Sequence, residues 1–144
     1  MKNTILILIS LLFLTGCMEE KEVTSLQDRG GVKYEVNSET SFTGRLVKKY
    51  ENGQKVEEHY KDGKLDGLYT YWYKNGQKMF EVVFKNEMYE GLHTYWYKNG
   101  QKKEEGKYKN GMKEGVWTEW YENGQKEWEG NYKNGRLVNG KLVK

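Results

Sequence analysis

Asn123-Gly124-Gln125-Lys126 is the last of four copies of one tetrapeptide; the others start at Asn52, Asn75 and Asn99, at intervals of 23, 24 and 24 residues. A second marker runs in phase with it: Lys61-Asp62-Gly63, Lys85-Asn86-Glu87, Lys109-Asn110-Gly111 and Lys133-Asn134-Gly135. A period of this size means that one small supersecondary unit has been copied, each copy burying its apolar face only against its neighbours. Two turn markers per period make the unit a pair of short segments. Those segments are rich in Tyr, Trp, Thr and Val, which favour strands, and are too short for stable helices. Asn-Gly between such segments is a strong hairpin signal, because a type I′ turn needs positive φ at both central residues. The expectation is therefore an all-β chain: an elongated, twisted antiparallel meander of tandem two-stranded repeats, turning at Asn52-Gly53, Asn75-Gly76, Asn99-Gly100 and Asn123-Gly124. About eight strands are expected from Phe42 to Val143, with a further short one at Val32 to Val36 leading into the array.

Register decides which residues share a face. A two-residue turn pairs Tyr121 with Lys126, Glu119 with Trp128 and Trp117 with Gly130, and it collects Trp117, Tyr121, Trp128 and Tyr132 on one side, lying over glycines. The same register places His93 opposite Gly106, and Tyr69, Tyr71, Tyr73, Phe80, Val82 and Phe84 on the same aromatic side. Trp72, Trp96 and Trp120 then fall on the opposite face among Thr, Lys and Glu. A three-residue loop would slip the pairing by one and reshuffle both sets; the two-residue register is preferred because it gathers the recurrent Tyr and Gly together. Two departures stand out. Glu87 replaces a turn glycine, and a non-glycine residue resists positive φ, so that connection is expected to be looser or of another type. Asn52 and Asp62 are separated by 10 residues where later units have 11, so the first hairpin should lack a bulge or have a shorter turn.

The pattern Gly-x-Trp-x-x-Trp-Tyr-x-Asn-Gly-Gln-Lys, complete from Gly115 to Lys126 and followed by Gly-x-Tyr-Lys-Asn-Gly from Gly130 to Gly135, resembles the bacterial variant of the MORN repeat. The resemblance runs from about Phe42 to Lys144. Repeats of this kind are grouped with a YwqK-type antitoxin family, and similar repeats are associated with membrane attachment and protein scaffolding. The resemblance implies an interaction module of stacked hairpins and carries over no catalytic residue.

Met1 to Cys17 has one early cation, Lys2, then an apolar run from Ile5 to Leu14 broken only by Ser10, then Leu14-Thr15-Gly16-Cys17. This reads as an export leader, too short for a membrane span of about 20 residues. Leu-Thr-Gly-Cys resembles the lipobox of bacterial lipoproteins, which implies a diacylglycerol on the Cys17 sulfur. Cys17 is the single cysteine of the chain, so it has no disulfide partner within it. The expected organisation is a signal peptide over 1–16, a lipid-anchored tether over 17–31 and a hairpin-repeat domain over 32–144. The mature protein is expected at the cell membrane or outer membrane, facing out of the cytoplasm.

The formal net charge is +3, with cations and carboxylates interspersed, and Pro is absent. Nothing in this resembles the basic stripe of a nucleic-acid binder, and no nucleic-acid partner is expected. His59 and His93 occupy non-equivalent repeat positions, too few donors for a metal, and no metal or other cofactor is expected. The carboxylate pairs Glu57-Glu58, Glu104-Glu105 and Glu127 with Glu129 alternate with lysines, as solvated cross-strand pairs do. No nucleophile elbow, phosphate loop or dinucleotide fingerprint is present, so the chain is not expected to be an enzyme. The remaining candidate is the row Trp72, Trp96 and Trp120, whose members would lie about 10 Å apart across a two-strand repeat. The leading expectation is a membrane-anchored module that binds a protein partner, with a toxin as one such partner. The alternatives are an envelope glycan or choline-type ligand held by the repeated aromatics, and anionic lipid held by Lys61, Lys85, Lys109 and Lys133.

Overall fold

The computed structural model describes residues 21–143. The leader, and the lipidation expected at Cys17, lie outside them. The described chain is all-β, with twelve strands. Nine of these form the array, one more than the turn markers suggested: β4 (Gly44–Lys49), β5 (Lys55–Lys61), β6 (Lys64–Trp72), β7 (Lys78–Lys85), β8 (Met88–Trp96), β9 (Lys102–Lys109), β10 (Met112–Trp120), β11 (Lys126–Lys133) and β12 (Arg136–Leu142). They hydrogen-bond in sequence order as an antiparallel meander.

The segment expected as a tether is built into this fold along its described part. β1 (Glu22–Val23) pairs parallel to β4 at the first edge of the sheet, and β2 (Gln27–Arg29) forms a small hairpin with β3 (Val32–Tyr34). The strand expected to lead into the array thus belongs to a separate two-stranded sheet. The reason is a local apolar core: Phe42, Leu46 and Tyr60 are buried, and Val23, Leu26 and Leu65 pack on them. Lys33 N–H donates to Gly63 O, and Gly63 N–H to Phe42 O, which ties the small hairpin to the first turn of the array. At the far end β12 is exposed along its whole length.

The Asn-Gly loops are not the type I′ turns expected of them. At Asn-Gly-Gln-Lys only the glycine has positive φ, as at Gly124 with 82°. Gly124 N–H donates to Tyr121 O and Tyr121 N–H to Gln125 O, both at 2.9 Å, so the loop is Glu122-Asn123-Gly124: a type I turn closed by a glycine bulge. Asn123 Oδ1 accepts Gln125 N–H, the local bond that suits Asn to this place. The two-residue type I′ geometry lies instead at the second marker, where Asn110 and Gly111 have φ of 50° and 76°. Glu87 keeps that same geometry, with φ of 65° after Asn86 at 48°. The expected looser connection is not found, because Glu87 N–H donates to Leu65 O at 2.9 Å and Asn86 N–H to Asp66 Oδ2 at 3.2 Å. The neighbouring repeat holds the turn in a conformation that the side chain disfavours.

Tyr121 therefore does not pair with Lys126; Trp120 does. A bulge follows, and beyond it Glu119 faces Trp128 and Trp117 faces Gly130, the pairs expected from a shorter turn. One extra residue in the loop and one in the bulge cancel. The hairpin β4–β5 runs without a bulge from Lys49↔Lys55 to Gly44↔Tyr60, which accounts for its missing residue.

With the register restored, one face carries a continuous layer of rings. Tyr69, Phe80, His93, Trp117 and Tyr132 follow one another with centroid separations of 5.3, 5.8, 5.7 and 6.2 Å. Trp117 is fully buried over Gly106, its Nε1 donating to Lys107 O at 3.2 Å, and Trp128 lies over Gly130 and Gly140. Among the described residues every strand except β2 and β3 lies in this one sheet, and beyond its first end the sheet gains its apolar burial from aromatic area.

Candidate functional site

Trp72, Trp96 and Trp120 end β6, β8 and β10 on the face away from the ring layer. Two residues before each lies a buried threonine: Thr70, Thr94 and Thr118. Thr70 Oγ1 donates to Glu81 Oε2 and Thr94 Oγ1 to Glu105 Oε2, both at 3.3 Å, and these carboxylates pair with Lys78 and Lys102. Lys126 pairs with Glu129 in the third unit at 2.9 Å. The face is thus laid out in stripes whose side chains are held by cross-strand bonds.

The tryptophans are half-buried, and each has a lysine of the preceding hairpin over its ring. Lys55 Nζ lies 3.8 Å from the Trp72 centroid, and Lys78 and Lys102 lie 5.8 Å from those of Trp96 and Trp120. An incoming quaternary ammonium would have to displace an ammonium already in place, which counts against the choline-type alternative. A third stripe was missed by sequence reading. Leu68, Leu92 and Val116, each immediately after the repeat glycine, are 39%, 49% and 59% exposed. Their signal was the fixed offset from Gly67, Gly91 and Gly115. Shallow depressions of about 430 and 380 Å³ lie beside Val116, one reaching Leu92 and Lys107, the other Asn131 and Asn139.

The Asn-Gly turns serve as locks between repeats. Asn75 and Asn99 Nδ2 donate to Lys98 O and Glu122 O at 2.8 Å, and Tyr73 and Tyr97 Oη donate to Trp96 O and Trp120 O, also at 2.8 Å. Asn52 and Asn123 turn to their own Gln54 and Gln125 instead. His59 and His93 are not brought together. His93 sits within the ring layer, 3.5 Å from Glu104, and burial followed by the nearby Lys113 charge holds its pKa below the usual 6.5. Burial pushes Tyr69 up to about 12 and Tyr60 higher still, the latter helped by its bond to Glu58. Both phenols are held neutral, and the Tyr60 hydroxyl donates to Glu58 Oε2 at 2.7 Å. Among the described residues no three His, Cys, Asp or Glu converge as a metal site requires.

These features define a class: a single sheet of tandem hairpins whose side chains repeat in space as they do in sequence. Residues 65–86, 89–110 and 113–134 each match the family model described as the MORN repeat variant. That part of the chain is an array of MORN repeats, each match running from one type I′ turn to the next across an Asn-Gly-Gln-Lys loop. The hairpin β4–β5 lies outside the matched residues. A search of the curated proteins finds no match to this chain.

Proposed function

We propose that this chain is a non-enzymatic interaction module of the cell envelope, held by a lipid on Cys17 and facing out of the cytoplasm, whose Trp72, Trp96 and Trp120 face receives a protein partner. MORN repeats are interaction modules in general, and the array here supports that use. The observation that carries the reading is the stripe of Leu68, Leu92 and Val116, exposed beside the tryptophan row on an open sheet face. Apolar side chains about 10 Å apart suit an extended segment lying across the strands. An immunity or antitoxin-like role is one form of this reading, confined by the leader to a toxin met outside the cytoplasm.

The test is a photo-crosslinking side chain placed in intact cells at Leu92 or Val116, and separately at Tyr89 on the ring face. A discrete protein adduct from the first two positions is expected, lost in a Trp96→Ala, Trp120→Ala double variant. Cys17→Ser should abolish both fatty-acid labelling and the adduct. Equal adducts from both faces, or an adduct that survives Cys17→Ser, would contradict the reading.

A further inference from the structure

The first junction between hairpins is built differently from the later ones. At the later junctions the Tyr73 and Tyr97 hydroxyls and the Asn75 and Asn99 amides bond across to the next repeat. Gln77 and Gln101 lie against Gly100 and Gly124, where a Cβ would meet Oε1 at 3.2 and 3.0 Å. At the first junction these contacts are missing. Asn52 Nδ2 donates to its own Gln54 Oε1 at 2.7 Å, and a Cβ on Gly76 would meet nothing within 4 Å. Tyr50 forms no bond to Trp72 O and is 45% exposed. The physical cause is the single residue that β4–β5 lacks: a bulge bends and twists its strand, and without it Gly53 of the first turn comes up to Lys74, where a Cβ would meet Lys74 Cβ at 3.2 Å, while the side-chain locks of the later junctions are not made. An open cavity of about 440 Å³, similar in size to the depressions beside Val116, lies between the two turns.

We propose that this cavity binds an acidic saccharide unit, one sugar carrying a carboxylate or phosphate. Its walls are Lys49, Tyr50, Gln54, Lys55, Trp72 and Lys74 with backbone glycines between them. Among the described residues Lys49 and Lys74 have no carboxylate within ion-pair distance. Lys55 rests on the Trp72 ring and shares Glu57, at 3.4 Å, with Arg45. The cavity therefore presents unmatched positive charge, which selects an anion. The exposed Tyr50 ring offers a flat apolar surface that fits the C–H face of a pyranose, and the Gln54 amide offers a donor and an acceptor for hydroxyls. A quaternary ammonium is excluded by the same three lysines. The site shares Trp72 with the face proposed for the protein partner, whereas Leu92 and Val116 of the apolar stripe do not line it.

The experiment titrates the full chain with a galacturonic acid trisaccharide, its neutral galactose counterpart and inorganic phosphate, following the Trp72 indole resonance and a binding isotherm. Saturable binding of the acidic trisaccharide is expected, with the neutral sugar silent and phosphate at least tenfold weaker. A Lys49→Ala, Lys74→Ala variant should bind about tenfold more weakly, the scale of two partly exposed charge contacts. Insertion of one methionine between Lys55 and Val56 copies the Lys78-Met79-Phe80 spacing and should close the cavity with far-UV circular dichroism unchanged. Binding should vanish at about 1 M salt, where the Debye length is about 3 Å. Equal binding of the neutral sugar, phosphate binding as tight as the trisaccharide, or affinity unmoved by both variants would overturn the proposal.

Discussion

Replacing Gly106 by alanine should change sign with the residue at position 117. Gly106 is not among the residues with positive φ, so its backbone accepts a Cβ without strain. In isolation the substitution would stabilise by about 0.4–1 kcal/mol through the unfolded chain. Trp117 reverses this. A Cβ at 106 would come 2.5 Å from Trp117 Cγ and closer still to the ring fusion. The ring has nowhere to go: Tyr108 meets it edge-on at 5.0 Å, His93 stacks on it at 5.7 Å and its Nε1 is bonded. Overpacking of this kind costs about 1–3 kcal/mol, so Gly106→Ala should destabilise the native chain by about 1–2 kcal/mol. Trp117→Ala alone should cost about 3–5 kcal/mol, and adding Gly106→Ala to it should restore about half a kcal/mol. The coupling between the two sites is then about 2 kcal/mol. Urea unfolding followed by far-UV circular dichroism measures it, with constant m-values showing that cooperativity is retained. Equal destabilisation by Gly106→Ala in both backgrounds would refute the stacking of this ring on this glycine.

Glu87→Gly should stabilise the chain by about 0.5–1 kcal/mol in the same urea assay, since it relieves a left-handed conformation at the cost of one exposed ion pair to Lys64, at 3.3 Å; a loss would mean that the turn is not strained. Tyr97→Phe removes the bond to Trp120 O and should cost about 1 kcal/mol in thermal or urea unfolding, whereas Tyr50→Phe, with no such bond, should be neutral. His93 has its folded pKa depressed below 6.5 by burial and by Lys113, with Glu104 opposing. The unfolded chain therefore takes up the proton first as pH falls, and His93 contributes stability that is full above about pH 6.5 and declines below it. His93→Phe should flatten the stability profile between pH 7 and 5; an unchanged slope would place the titration elsewhere.

The period, strand order and aromatic face were legible because each depends on side-chain alternation, and alternation survives a loop error that a bulge corrects. Turn type was not legible. Asn-Gly suits both a type I′ turn and a type I turn followed by a glycine bulge, and what separates them is the extra residue exemplified by Glu127, whose bulging has no compositional mark. Glu87 was misread for a different reason: local preference argued for a new geometry, while bonds to Leu65 and Asp66 in the neighbouring repeat impose the old one. Residues up to Gly31 read as a polar tether, and only the folded array supplies Phe42, Leu46 and Tyr60 for Val23 and Leu26 to cover. In the candidate site, the Trp row followed from its period, whereas the lysines over its rings follow from strand pairing. The first-junction cavity had a sequence sign, the interval of 23, but its meaning required the locks at the later junctions to be seen.

The stacking of hairpins in sequence order, with a bulge after every Asn-Gly loop except the first, is tested most directly by cross-strand backbone NOEs on isotopically labelled protein. The account predicts contacts of Trp120 with Lys126 and of Glu119 with Trp128, skipping Glu127, together with an unbroken ladder from Lys49–Lys55 to Gly44–Tyr60. Contacts of Tyr121 with Lys126, or of Glu119 with Glu127, would contradict it.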